Sequence, residues 1–139
     1  MKTIYFLTLL FCLAYNTGCT QSADPKTTGR KTHSLVTGTW KGSSICQVKN
    51  SPCHDETVVY RISGTKDSTV YNISASKIVN GVEDDMGPIV CSFNKETSEL
   101  TSTLPSGGVW TFKISGRKIN GTLLSHGQLF RIVTLQKAD

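Results

Sequence analysis

The sequence predicts an all-β domain, an eight-stranded antiparallel up-and-down barrel, and three observations carry that expectation. Short runs rich in Val, Ile, Thr, Tyr, Phe and Trp recur about every dozen residues from Leu35 onward. Residues with turn chemistry separate them, among them Asn80-Gly81, Gly116-Arg117 and His126-Gly127. Within the runs apolar and polar side chains alternate, as a strand half-buried on one face requires.

Eight runs follow in order: Leu35–Val48, Thr57–Ser63, Thr69–Val79, Pro88–Asn94, Glu99–Leu104, Val109–Ser115, Lys118–Ser125 and Gln128–Lys137. In the second, Val58, Tyr60 and Ile62 share a face and Arg61 takes the other. In the fourth, Ile89, Cys91 and Phe93 align; in the sixth, Trp110, Phe112 and Ile114 do, with Thr111 and Lys113 opposite. Asn50-Ser51-Pro52 and Gly64-Thr65-Lys66-Asp67 read as turns. Asn80-Gly81 reads as a hairpin turn, with Glu83-Asp84-Asp85 as a charged loop after it, and Pro105-Ser106-Gly107-Gly108 as another hairpin connection. Connections this short cannot cross over, so successive strands pair as a meander. Closure removes the two free edges of such a meander. A two-sheet β-sandwich is the alternative that the strand count also allows.

The N-terminus has a different character. Lys2 precedes an apolar stretch from Ile4 to Tyr15, too short for a permanent membrane span and of signal-peptide length. Asn16-Thr17-Gly18-Cys19 then resembles the lipobox of bacterial lipoproteins, in which a small residue precedes a cysteine that is lipidated and becomes the new N-terminus. That resemblance implies cleavage after residue 18, a lipid anchor on Cys19 and a protein held at the cell envelope, facing the periplasm or exterior. Asn16 departs from the Leu of a strict lipobox, and ordinary cleavage nearby, leaving Cys19 a plain thiol, is the alternative. Polar residues with turn formers, Gln21 to Gly29, then read as a tether, so residues 19–34 separate the anchor from a barrel over residues 35–139.

Charge narrows the partners. The chain carries net +5, which falls to +4 without residues 1–18. Its basic residues are scattered rather than gathered into a stripe with aromatics, so no nucleic acid is expected as a partner.

Gly38-Thr39-Trp40 lies in the first predicted strand and Arg131 in the last. This resembles the Gly-x-Trp signature of the lipocalin-like (calycin) barrels. The resemblance implies that Gly38, Trp40 and Arg131 close one barrel end, the arginine packing over the indole. It implies no particular ligand, and the domain is short for such a barrel, so its interior can be filled with side chains.

Cys46, Cys53 and Cys91 remain in the domain. In an oxidising compartment a Cys46–Cys53 bridge would staple the first connection, with Cys91 a buried thiol; pairing through Cys91 is the alternative. Cys53-His54-Asp55-Glu56 collects reactive side-chain types, but neighbours on an extended chain point apart, so neither a nucleophile nor a metal site is expected. Glu83-Asp84-Asp85 lacks calcium-loop spacing.

These readings favour a binding protein, not an enzyme, with no cofactor. A small apolar ligand would enter the barrel mouth, lined by Tyr60, Phe93, Trp110 and Phe112. The alternative is a protein-interaction or inhibitor module at the envelope presenting the loops Lys49–Glu56 and Gly81–Gly87. Oligomeric state is not legible.

Overall fold

The computed structural model describes residues 35–138. The signal-peptide, lipidation and tether readings, Cys19 included, lie outside the described residues. Eight strands run in order: β1 (Gly38–Cys46), β2 (Glu56–Gly64), β3 (Val70–Val79), β4 (Val82–Asn94), β5 (Glu99–Thr103), β6 (Gly108–Ser115), β7 (Lys118–Ser125) and β8 (Gln128–Lys137). Each pairs antiparallel with the next, and β8 returns to pair with β1 from Trp40↔Lys137 to Cys46↔Arg131, closing the barrel. That last ladder rules out the open sandwich.

Two-residue turns set the register of three hairpins. Asn80 and Gly81 both have positive φ between Val79 and Val82, as a type I′ turn demands, and His126-Gly127 repeats the arrangement between Ser125 and Gln128. Gly116, at φ 58°, opens the β6–β7 turn.

Two elements, β1 and β4, differ from the sequence reading by more than one residue at an end. β1 is shorter at both ends: Leu35 and Val36 are helical, and residues after Cys46 leave the strand. β4 begins at Val82, not Pro88, so Glu83-Asp84-Asp85 form part of a strand and not a loop. Those residues are exposed and lack apolar alternation, so the strand is held by its ladder to β3 and by charge. Arg61 on β2 holds Glu83 through two hydrogen bonds of 2.7 and 2.8 Å, and Lys77 on β3 lies 3.4 Å from Asp84. Between Ala75 and Ser76 the register slips, leaving Met86 as an extra residue in a β-bulge beside Gly87 at φ 87°.

Inward-facing residues pack the middle and one end of the interior: Trp40, Val58, Tyr60, Ile62, Tyr71, Ile73, Cys91, Phe93, Leu100, Phe112, Ile119, Val133 and Leu135 are all buried. Phe112 lies over Gly121 on the neighbouring strand, where a Cβ would stand 2.5 Å from its ring; the missing side chain makes room for the aromatic. Lys41, Arg61, Asn72, Lys113 and Gln136 project outward and are exposed. The interior is apolar, while the outward face mixes these polar side chains with exposed apolar ones such as Val82, Val90 and Leu129.

Candidate functional site: a pocket at the open end of the barrel

The two barrel ends are built differently. At one, Val36 is 1% exposed, and its carbonyl accepts a 3.0 Å hydrogen bond from Trp40 Nε1, so the helical turn and the indole plug the opening together. Gly38, between them, sits at φ +124°, a conformation that L side chains rarely adopt. The cation over the indole is Lys137, whose Nζ lies 5.4 Å from the ring centroid and 3.2 Å from the Leu35 carbonyl.

Arg131 does not pack on Trp40 as the signature implied. It lies six positions before Lys137 on β8, about 20 Å along the strand at ~3.3 Å per residue, and so at the opposite end. There it faces inward opposite Cys46 and Leu123.

The opposite end is open. A cavity of about 210 Å³ is lined there by Ser44, Glu56, Tyr60, Ala75, Met86, Pro88, Ile89, Leu104, Trp110, Leu123 and Arg131. Its floor is aromatic: Trp110 stacks on Phe112 with centroids 5.0 Å apart, and Tyr60 meets the same Phe112 edge-on at 6.1 Å. Of the four aromatics expected to line a ligand, Tyr60 and Trp110 reach the cavity. Phe112 lies beneath them, and Phe93 packs deeper, 5.6 Å from Tyr71. Met86 leans over the cavity because the β4 bulge displaces it.

One wall is polar. Arg131 Nη1 lies 3.0 Å from Glu56 Oε2 and donates a 2.9 Å hydrogen bond to Ser44 Oγ. The side chains of this ion pair are only 14% and 13% exposed, and Ser44 is 1% exposed. Removing either charge alone would strand the other; for fully buried pairs that costs about 3–5 kcal/mol, and less beside a wet mouth. Tyr60 stands close enough to feel both charges. Burial pushes its phenol up to about 12, with Arg131 pulling it down and Glu56 raising it further. Its hydroxyl has no hydrogen-bond partner among the described residues.

The Cys53-His54-Asp55-Glu56 segment separates into unrelated tasks. Cys53 is bonded to Cys46, the expected bridge, while Cys91 remains a buried free thiol. His54 Nδ1 contacts the Pro52 carbonyl at 3.1 Å, and Asp55 accepts the Cys46 amide at 2.9 Å. Glu56 alone turns into the barrel. Ser44 and Glu56 were absent from the expected site, although strand alternation places Ser44 on the same face as Trp40 and Glu56 on the same face as Tyr60. That parity was the available signal.

An eight-stranded up-and-down barrel, plugged at one end and open at the other to an interior pocket, is lipocalin-like in architecture. A solved structure described as "The Siderocalin Ex-FABP functions through dual ligand specificities" is similar at a TM-score of 0.40 and 12% identity, over 76% of this chain and 71% of that one. No family model and no curated protein matches the chain. The class therefore rests on the strand order and register described above.

Proposed function

We propose that this protein is a non-enzymatic binder that holds one small, largely apolar ligand in the open end of its barrel. The carrying observation is the cavity of about 210 Å³ floored by Tyr60 and Trp110 and walled by Ile89, Leu104 and Leu123. It is smaller than a drug-sized site. At the volume of liquid water per molecule it suits a ligand of roughly seven to ten non-hydrogen atoms. Titration with toluene, followed by tryptophan emission and amide chemical shifts, tests this. Saturable shifts confined to residues around the mouth are expected, and Ala75→Leu, which fills the cavity from β3, should abolish them. Shifts that never saturate, or that survive in the filled variant, would defeat the reading.

The proposal extends to where the barrel works. Lys2, the apolar stretch Ile4–Tyr15 and the Asn16-Thr17-Gly18-Cys19 sequence support export and lipid attachment at Cys19, leaving the barrel tethered to a membrane of the cell envelope and facing the periplasm or exterior. A Cys19→Ala variant should lose the mass of the acyl chains and leave the detergent phase for the aqueous one. Unchanged partitioning would remove the anchor from the account.

A further inference from the structure

The polar wall of the pocket says more about the ligand than the cavity volume does. Resting on the binding reading above, we infer that the mouth selects an uncharged ligand: a short apolar body whose head both donates and accepts hydrogen bonds, such as a primary amide. A lone buried arginine would call for an anion. Here Arg131 is already neutralised, 3.0 Å from Glu56 and 2.9 Å from Ser44 Oγ, with each charged side chain about one-seventh exposed. The wall is therefore a dipole with no net charge.

An entering carboxylate would be drawn to Arg131 and repelled by Glu56 from almost the same place. The attraction cancels while the cost of stripping water from the anion stays. An alkylammonium meets the same cancellation with the signs reversed. An uncharged head avoids that cost and finds both kinds of partner. Glu56 Oε1 and Ser44 Oγ can accept from it, and the further N–H groups of the guanidinium can donate to it. The Tyr60 phenol supplies the remaining handle: it is 2% exposed, it lines the pocket and it has no partner among the described residues. No buried side-chain polar atom among the described residues lacks a partner, so this hydroxyl meets solvent in the pocket, where a ligand able to bond it takes the place of water.

Three probes of equal chain length separate the possibilities: hexanamide, hexanoate and hexylammonium, titrated at pH 7 by calorimetry and by amide chemical shifts. Hexanamide should bind about tenfold more tightly than either ion, a difference of about 1.4 kcal/mol. Tyr60→Phe, which keeps the buried ring, should weaken hexanamide about tenfold and leave toluene unchanged. Glu56→Gln exposes the arginine charge and should reverse the order, so that hexanoate binds best. Hexanoate binding as well as hexanamide to the wild-type protein would overturn the inference. So would failure of all three heads where toluene still binds, and in both cases the binding reading would survive. Failure of toluene as well would overturn both.

Discussion

Cys91 shows how much burial alone decides at a single position. Its thiol is 1% exposed at the middle of the interior, and burial pushes its pKa from 9.0 up to about 12. Tyr60 moves from 10.0 to about 12, for the same leading reason. Both are acids whose folded pKa is raised, so the unfolded chain releases their protons first as pH rises. Their contribution is intact below about pH 9 and is lost between there and about 12. Urea unfolding should therefore show the barrel weaker at pH 11 than at pH 8, by on the order of 4 kcal/mol, and Cys91→Ala should recover more than half of the difference. At pH 8 iodoacetamide should label Cys91 only as fast as the barrel opens, and rapid labelling of the folded protein would contradict the burial. On the acid side the effects run the other way: bonding to Thr69 lowers Asp67, and bonding to Arg61 lowers Glu83, so both lose their contribution as pH falls. Both are exposed, which leaves little at stake.

Among the elements, the β1–β2 connection carries the structural staple. The bond between Cys46 and Cys53 ties the end of β1 to a loop that Asp55 also fastens, through the Cys46 amide. Glu56 starts β2 two residues after His54, so this loop also fixes where the acidic partner of Arg131 stands. A Cys46→Ser/Cys53→Ser double variant should lose about 2–3 kcal/mol, the loop-closure entropy for so short a span. Hydrogen exchange should show faster opening over residues 47–56 and little change in β5 to β7. Uniform loss of protection would mean that the bridge supports the whole barrel and not its mouth. The strands themselves were legible to different degrees. β7 and β8 match their sequence boundaries because tight turns enclose clear alternation. β4 was read six residues short because its first half carries Glu83, Asp84 and Asp85 in the open, where burial imposes no pattern and only backbone pairing reveals a strand.

For the molecule as a whole, one end is a plug and the other a mouth, and the difference lies in what the inward positions carry. Towards the plug they are large and apolar: Trp40, Ile62, Tyr71, Phe93, Leu100 and Leu135. Towards the mouth the apolar Leu104, Trp110 and Leu123 are joined by Ser44, Glu56, Ala75 and Arg131, whose small or polar side chains leave space unfilled. The interior thus tapers from a packed core at the plug to a lined cavity at the mouth.

The sequence by itself determined the all-β class, the meander, the hairpin turns and the face on which most core residues lie, because alternation and turn chemistry act between near neighbours. Which cation covers Trp40 and which charges meet in the mouth were decided only by the tertiary structure. Arg131 and Ser44 are 87 positions apart, and they touch because β8 closes onto β1 in one register. Shifted by six residues, the same ladder would set Arg131 where Lys137 now stands. No local pattern encodes that choice, since it depends on how the whole interior packs when the barrel shuts.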